Sequence, residues 1–204
     1  MNAENSEQGD LVPLPANTPR HFLQCRWLLW YLKADRGRDW EDCLRQIAVF
    51  GTFEEFWALY KHIQPPSELT WGSDYCLFKE GIKSMWEDGS NISWLFWTIP
   101  QDFISDRLEL SMAFIGEHFE DNVYLICGAV VNVRQNGDKV SFWTRDSFMD
   151  DANLRVGQIL KAKLGISDAK PIRYEVHKDL SVRTGSMVEP VIVIPTKENW
   201  DMRI

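Results

Sequence analysis

The 204-residue sequence lacks the patterns that mark several large classes of protein. No apolar run approaches the roughly 20 residues that a membrane-spanning helix needs, and no basic segment followed by an apolar one opens the chain. The four cysteines form no CxxC pair and no cluster with histidine at zinc-binding spacing. We therefore expect a cytosolic or nuclear protein with reduced thiols, without a metal site and without a membrane attachment.

Catalytic motifs and excess positive charge are also missing. The four histidines are isolated from any serine or cysteine motif, and the chain contains no GxSxG, Walker loop or HExxH sequence. An enzyme is therefore disfavoured, and no cofactor is expected. Because the net charge is −8, the protein is not expected to follow a long nucleic-acid backbone. Any nucleic acid would be bound at a small local site.

The composition that is present is that of one folded domain. The hydrophobic fraction is 45% and the charged fraction 25%, as in soluble globular proteins. The segments at both ends are polar and without periodicity, so we expect a disordered tail at 1–19, a domain at 20–195 and a flexible tail at 196–204. Ten tryptophans are unusual, and most of them are expected in the core.

Apolar patterns predict a fold of the α+β class. Seven runs have the length and residue types of strands, at 25–33, 73–78, 93–99, 124–133, 139–145, 172–177 and 189–195. Three helices are predicted: one that starts with a capping box at Thr52 and ends before Pro65, one at 107–119, and one at 150–164 with Gly165 at its C-terminal cap. Short loops favour a mainly antiparallel sheet that is packed by helices on one face and free to form a concave surface on the other.

The stretch VVNVRQNGDKVSFW at 130–143 predicts a hairpin with an unusual charge pair. Asn-Gly between two alternating runs is typical of a two-residue type I′ turn, and that turn sets Arg134 opposite Lys139. Facing cations repel each other across a pair of strands. Two explanations stay open: an anion bound between the cations, or two solvated cations that splay apart.

The same hairpin predicts which residues share a face of the sheet. Alternation places Arg134, Lys139 and Trp143 on one face, while Val140 and Phe142 lie on the other, core-facing side. Four residues separate Lys139 from Trp143, a distance of about 13 Å at ~3.3 Å per residue. That distance is comparable to the length of a nucleotide with its phosphate chain.

Two further tryptophans are predicted in loops. Trp40 follows the charged segment KADRGRD, and Trp86 lies in SMWEDGSN beside Glu87. Exposed rings can stack on a base, a cationic base gains cation–π attraction from them, and a carboxylate can accept hydrogen bonds from a guanine. The alternatives are a tryptophan that covers the core from a loop and a solvated surface acid.

Several long segments of the chain, in order, resemble one known family. They include HFLQCRWLLWYLKADRGRDWEDCL, FEEFWALYKHIQ, SDYCLFKEGIKSMWEDG, IGEHFED, ICGAVVNVRQNGDKVSFWTR and IRYEVHKD. Over about residues 20–195 the chain is similar to the eukaryotic translation initiation factor 4E family, whose members bind the 7-methylguanosine cap of messenger RNA. The resemblance implies a curved sheet with about three helices on its convex face and a cap-binding cleft on its concave face.

The resemblance assigns roles to residues of the predicted cleft. It implies that Trp40 and Trp86 sandwich the methylated guanine, that Glu87 hydrogen-bonds it, and that Trp143 lies near the methyl group. It also implies that the cap phosphates lie against basic side chains, which match Arg134, Lys139 and Arg183. The triphosphate would then be the anion between the two cations of the hairpin.

This sequence departs from the family pattern within the cleft. Asn136 replaces a basic residue that is common in the hairpin turn, and the loss of one charge-assisted phosphate contact costs about 1.5–3 kcal/mol. The segment that follows Trp86 is several residues short and lacks the usual Gly-Gly-Arg-Trp sequence, so the family's basic residue at that point has no clear counterpart. The basic residue Arg183 in SVRTGS partly compensates.

A second surface is implied on the opposite side of the molecule. In the family, an amphipathic helix of a partner protein docks on residues that match His21, Trp57, Leu108 and Glu109, and the partners are the initiation scaffold protein 4G and the 4E-binding repressor proteins. Trp57 lies about 100° from the centre of the apolar stripe of its helix, so it is expected to be partly exposed. Phe22 and Arg107 replace the usual proline and tryptophan, which leaves room for altered partner choice.

The resemblance therefore implies a cytoplasmic cap-binding protein that recruits capped mRNA to the translation machinery through a scaffold. Two alternatives stay open. The first is a specialised or repressive paralogue, including one that accepts trimethylguanosine caps. The second is a protein that only binds partners and whose cap pocket has decayed.

Overall fold

The computed structural model describes residues 19–33, 35, 37–82, 95–99, 115–116, 119–145, 150–166, 172–176 and 192–194. These residues form eight strands: β1 Phe22–Lys33, β2 Leu44–Thr52, β3 Ser73–Lys79, β4 Leu95–Ile99, β5 Ile126–Asn132, β6 Lys139–Thr144, β7 Ile172–Val176 and β8 Ile192–Ile194. The α-helices of the described residues are α1 Trp40–Cys43, α2 Phe53–His62 and α3 Asp150–Lys163, and 3₁₀ turns occupy Pro66–Glu68 and Glu120–Leu125. In these parts of the chain no helix is long and apolar enough to cross a membrane.

The strands form one curved, unclosed antiparallel sheet in the order β2-β1-β3-β5-β6-β4-β7-β8. This confirms the predicted fold class and the seven predicted strands, with ends that differ by a few residues. Strand β2 is missed by the sequence pattern because its residues LRQIAVFGT mix polar and apolar side chains without clean alternation. The pairing of β2 with β1 is antiparallel and contains a register shift between Leu29 and Trp30.

The helices cover one face of the sheet. Phe56 and Leu59 of α2 and Val156 and Leu160 of α3 are buried in one core cluster with side chains from β1, β2, β5 and β6. Full burial of a side chain such as leucine or phenylalanine stabilises a fold by about 1.5–3 kcal/mol. Because strand side chains alternate, the neighbours of these core residues point to the other face of the sheet.

Helix α2 begins as the capping-box sequence predicts. Its N-cap is Thr52, whose hydroxyl oxygen accepts a hydrogen bond from the Glu55 backbone N–H at 3.2 Å. The Glu55 carboxylate reaches back to the Gly51 N–H at 2.9 Å. One donor of the first helical turn and one donor of the residue before the N-cap are thereby satisfied. The helix ends at His62, before Pro65, as predicted.

Helix α3 ends in the predicted glycine cap. Gly165 has φ +59°, the left-handed conformation that a side chain disfavours. Its N–H donates to the Ala162 carbonyl at 3.3 Å, and the Ile166 N–H donates to the Lys161 carbonyl at 2.9 Å. These two bonds form a Schellman motif.

Three other predictions concern parts of the chain beyond the described residues. Nearly all of the N-terminal tail and all of the C-terminal tail lie outside them, and so does most of the helix predicted at 107–119. From that helix segment the structure describes Ile115, Gly116 and Phe119, of which Ile115 and Phe119 are buried in the core.

Candidate functional site

The face of the sheet opposite α2 and α3 carries the basic and aromatic residues predicted from the hairpin. On β6, Val140 and Phe142 are buried in the core with the helices, so Lys139 and Trp143 lie on the other face. Both side chains are half-buried. The face assignment made from the sequence is therefore confirmed for β6. We call this surface the helix-free face.

The register of the hairpin, in contrast, was predicted wrongly. Asn132 pairs with Lys139, and Val131 pairs with Val140. On β5 the pairing therefore stops at Asn132, two residues before Arg134, which a two-residue turn would have paired with Lys139. Arg134 does not lie opposite Lys139. The error spans an even number of residues, so it leaves the faces unchanged. The connection is a loop of residues 133–138.

Hydrogen bonds to a third strand explain the longer loop. The Val133 N–H donates to the Ser73 carbonyl at 2.9 Å, and the Gly72 N–H donates to the Val133 carbonyl at 2.9 Å. Val133 therefore continues the pairing with β3 instead of pairing with β6. Within the loop, the Arg134 N–H donates to the Asp138 carboxylate at 3.1 Å. These contacts outweigh the local preference for a tight Asn-Gly turn.

The charge of Arg134 is offset by a residue of the chain itself. Its guanidinium donates to both carboxylate oxygens of Asp74, from Nη1 at 2.5 Å and from Nη2 at 3.1 Å, and it also donates to the Ser73 and Val133 carbonyls. Asp74 is only 6% exposed. Hydrogen bonding to this carboxylate raises the pKa of Arg134 above its already high ordinary value. A bound anion is thus not needed to explain the position of Arg134.

Asp74 lies in the same cross-strand row as Lys139, the predicted basic residue of β6. It pairs with Asn132, and Asn132 pairs with Lys139, so the three residues form a row across the helix-free face. Arg134 lies two residues beyond Asn132, the middle residue of this row, and its side chain remains 44% exposed. The structure therefore brings Arg134 and Lys139 to the same end of the face, with Asp74 on β3, on the far side of β5 from Lys139.

Trp143 is held by a second row. Phe78 pairs with Gly128, and Gly128 pairs with Trp143. The rings of Phe78 and Trp143 meet near edge-on, with centroids 6.0 Å apart and planes at 65°. A Cβ atom on Gly128 would lie 2.6 Å from the Phe78 ring and 2.4 Å from the Leu77 carbonyl oxygen. The glycine thus leaves the room in which the two rings meet.

The other residues predicted for the cleft are only partly placed. The backbone of Trp40 starts helix α1, directly before β2, whereas the sequence predicted a loop there. The side chain of Trp40 lies outside the described part of the structure, as do Trp86, Glu87 and Arg183. Of the predicted set, Arg134, Lys139 and Trp143 are therefore the members that the structure brings together.

The predicted partner surface is placed at the first turns of α2. His21 is joined to Glu54: its ring Nδ1 lies 2.5 Å from the carboxylate, and its backbone N–H donates to the same group at 2.9 Å. These hydrogen bonds lower the pKa of Glu54. The Phe53 N–H in turn donates to the His21 carbonyl at 2.9 Å. The segment before β1 is thereby fixed to the start of α2.

Trp57 lies one turn further along the same side of α2. It is half-buried, as predicted, and its ring meets those of Phe53 and Tyr60 near edge-on at 6.0 and 5.7 Å. The Lys61 ammonium lies 5.8 Å from the ring centroid. The structure therefore brings His21 and Trp57 to one surface, while Leu108 and Glu109 lie outside the described residues.

Four residues of these sites were missed from the sequence: Asp74, Phe78, Gly128 and Glu54. Each acts on a residue far along the chain; Asp74 and Arg134, for example, are 60 positions apart. Strand order decides which of them meet, and no local pattern reveals it. A glycine within an apolar strand is the one available signal, because it indicates close approach of a neighbour.

These features define a small binding protein built on one sheet. One candidate binding surface lies on the helix-free face, and the other lies at helix α2 on the helix-covered side. The family model described as eukaryotic initiation factor 4E matches residues 22–189. The chain belongs to the eukaryotic initiation factor 4E family, a family of translation initiation factors. Its sequence is 53% identical to eukaryotic translation initiation factor 4E-3 of Caenorhabditis elegans over 214 aligned positions, which cover 96% of this chain and 85% of that protein.

Solved structures of relatives agree in fold. The Ascaris suum initiation factor 4E-3 in complex with an m2,2,7G cap is 64% identical, with a TM-score of 0.78 over 86% of this chain and 99% of that one. The C. elegans factor 4E-3 in complex with the 4E-binding protein Mextli and a cap analog is 56% identical, with a TM-score of 0.79 over the same shares of the two chains.

Proposed function

We propose that this protein binds the 7-methylguanosine cap of mRNA on its helix-free face and recruits the mRNA to the initiation machinery through a scaffold protein. The observation that carries the proposal is the joint placement of Lys139, Trp143 and Arg134 on that face. The cap-bound structures of the Ascaris and C. elegans relatives support it.

The geometry suggests how a cap would lie. Trp143 and Lys139 are four residues apart on β6, about 13 Å along the strand at ~3.3 Å per residue. The guanine would lie at the Trp143 end and the phosphates at the end that carries Lys139 and Arg134. Arg134 can donate further hydrogen bonds, since a guanidinium has five N–H donors and four of the bonds seen here come from two of its nitrogens.

The remaining roles follow from family membership and stay proposals. Trp40 and Trp86 would stack on the two sides of the guanine, Glu87 would accept hydrogen bonds from it, and Arg183 would contact the phosphates. Methylation makes the base cationic, and the rings then gain cation–π attraction that an unmethylated guanine lacks.

A trimethylguanosine cap is a second candidate ligand. The Ascaris relative was solved with m2,2,7G, and it is 64% identical to this chain. A protein of this subfamily that accepts both caps would serve transcripts of both kinds. We propose that this protein does so.

Partner binding is proposed for the surface of His21 and Trp57, together with Leu108 and Glu109. An apolar ring beside a carboxylate suits an amphipathic helix that carries a basic residue. The complex of the C. elegans relative with Mextli supports a 4E-binding protein as partner, and scaffold protein 4G and other 4E-binding repressors are proposed from family membership. Phe22 is 80% exposed beside His21 and would contribute an additional apolar contact.

We further propose that the protein acts in the cytoplasm by recruitment, without catalysing a reaction. Holding the cap on one face and a partner on the other is sufficient to join an mRNA to the translation machinery or to block it. A repressive paralogue would use the same two surfaces with a different partner.

Tryptophan fluorescence titration tests the proposal. 7-Methyl-GTP, GTP and a trimethylated cap analogue are added to the wild type and to Trp86→Ala, Glu87→Ala and Trp57→Ala. We expect strong quenching by both methylated ligands, a weak response to GTP, and loss of binding in Trp86→Ala and Glu87→Ala. Trp57→Ala is the matched control, since it removes a tryptophan of the partner surface and should leave cap binding unchanged. Equal responses to 7-methyl-GTP and GTP would contradict cap binding.

A further inference from the structure

The turn that precedes β3 carries an exposed tryptophan. Trp71 is 70% exposed, in a turn whose next residue, Gly72, has φ +86°. A single exposed aromatic residue is common on protein surfaces and needs no explanation by itself. Trp71 is of interest because its turn is hydrogen-bonded to the loop that carries Arg134.

The Trp71 turn is fastened to the loop that carries Arg134. The Gly72 N–H donates to the Val133 carbonyl at 2.9 Å, and the Arg134 guanidinium donates to the Ser73 carbonyl at 3.3 Å. Trp71 is therefore held next to Arg134 and beyond the row that ends in Lys139, at the end of the sheet opposite Trp143.

A basic side chain lies beside this turn. The Arg134 guanidinium, which donates to the Ser73 carbonyl, belongs to a side chain that is 44% exposed. An exposed ring beside a cation is an arrangement with which proteins bind single-stranded nucleic acid, because bases stack on the ring while the cation attracts the backbone.

We infer that Trp71 stacks on a nucleotide of the mRNA that follows the cap. The inference rests on the proposed cap binding: with the guanine at Trp143 and the phosphates at Lys139 and Arg134, the RNA leaves the cleft at the end where Trp71 lies. The stacking partner is a base of any identity, since every base has a π-face that can stack on an aromatic ring. The net charge of −8 limits the contact to a short segment.

A comparison of two ligands tests the inference. Affinity for 7-methyl-GTP and for a short 7-methylguanosine-capped oligoribonucleotide is measured for the wild type, Trp71→Ala, Trp71→Phe and Tyr124→Ala. Stacking of one base on an aromatic side chain predicts that Trp71→Ala weakens binding of the capped oligonucleotide about fivefold or more and leaves 7-methyl-GTP binding unchanged. Trp71→Phe should retain most of the affinity. Tyr124, which is 52% exposed at a 3₁₀ turn, is the matched control and should have no effect.

Each contrary result has a distinct meaning. If Trp71→Ala leaves the affinity for the capped oligonucleotide unchanged while 7-methyl-GTP still binds, the stacking contact is refuted and cap binding stands. If it weakens both ligands equally, Trp71 acts on the cap pocket and the inference is also refuted. If the wild type does not bind 7-methyl-GTP, the proposed function itself fails. If Trp71→Ala weakens only a protein partner, the ring is a protein contact.

Discussion

The ring of Phe78 on β3 sets the position of the Trp143 ring on β6, and the two rings meet over Gly128 of the intervening strand β5. The two centroids are 6.0 Å apart at an interplanar angle of 65°, and Gly128 lies between the two residues in the sheet. Edge-on aromatic pairs contribute about 0.5–1.5 kcal/mol beyond the area that they bury. Trp143 is therefore oriented by the fold before any ligand arrives.

We predict that Gly128→Ala weakens binding of 7-methyl-GTP. The added methyl group would lie 2.4 Å from the Leu77 carbonyl oxygen and 2.6 Å from the Phe78 ring, so both the backbone of β3 and the ring must shift, and Trp143 must follow. Fluorescence titration measures the loss, and thermal unfolding reports the accompanying destabilisation. In a double-mutant cycle, Phe78→Leu should recover part of the binding lost in Gly128→Ala, because it makes room for the methyl group. Strictly additive effects would show that Phe78 does not mediate the loss.

The pair of Arg134 and Asp74 should contribute to stability as well as to binding. Arg134→Met leaves the carboxylate of Asp74, which is 6% exposed, without its bidentate partner. We expect the free energy of unfolding in urea to fall by about 1–3 kcal/mol. Arg26→Met is the control: Arg26 pairs with Glu80 on the surface, where an ion pair contributes about 0–1 kcal/mol. Equal losses in the two variants would contradict the structural role of Asp74.

The cap of helix α2 gives a third prediction. Thr52→Ala removes the oxygen that accepts the Glu55 N–H and should lower the free energy of unfolding by about 1 kcal/mol. Thr52→Ser keeps that oxygen and should cost less. Chemical denaturation of the two variants measures the difference. If serine and alanine were equally destabilising, the buried methyl group of Thr52 would be responsible instead of the hydrogen bond.

The contact of His21 with Glu54 predicts a pH dependence of stability. Hydrogen bonds from His21 lower the pKa of Glu54 in the folded protein, so the carboxylate stabilises the fold above the pKa of an unfolded glutamate. This contribution is lost as the pH falls through the folded pKa. Urea unfolding should therefore show a stability gap between the wild type and Glu54→Gln that is open at neutral pH and closes below about pH 4, near the ordinary glutamate value. Glu68→Gln removes the same charge at an exposed position and is the reference variant for the comparison.

The cysteines should differ in reactivity. Cys76 and Cys127 are buried, and burial raises the pKa of both thiols, whereas Cys25 is partly exposed. Because the thiolate is the reactive form, iodoacetamide at pH 8 should label Cys25 first and the buried Cys76 and Cys127 only after denaturation. Mass spectrometry of tryptic peptides checks the order. Labelling of Cys76 in the folded protein at the rate of Cys25 would refute the burial of β3.

The sequence was sufficient for the features that depend on neighbours along the chain. The cap at Thr52, the glycine cap at Gly165 and the face that carries Lys139 and Trp143 follow from residues a few positions apart. The features that were wrong or missed depend on strand order. Val133 joins β3, so the hairpin opens two residues early, and Asp74 meets Arg134 only because β3 lies beside β5. A local pattern cannot encode such pairings.

The buried carboxylate of Asp74 has a consequence for competition in the cell. Because it neutralises Arg134, the end of the helix-free face attracts polyphosphates less strongly than two basic residues alone would. Free nucleotides such as ATP and GTP therefore gain little affinity from charge there. Their unmethylated bases also lack the cation–π attraction to the aromatic rings. A cap loses the same attraction through its own phosphates, so the choice between a capped message and a free nucleotide would be made by the rings and not by charge.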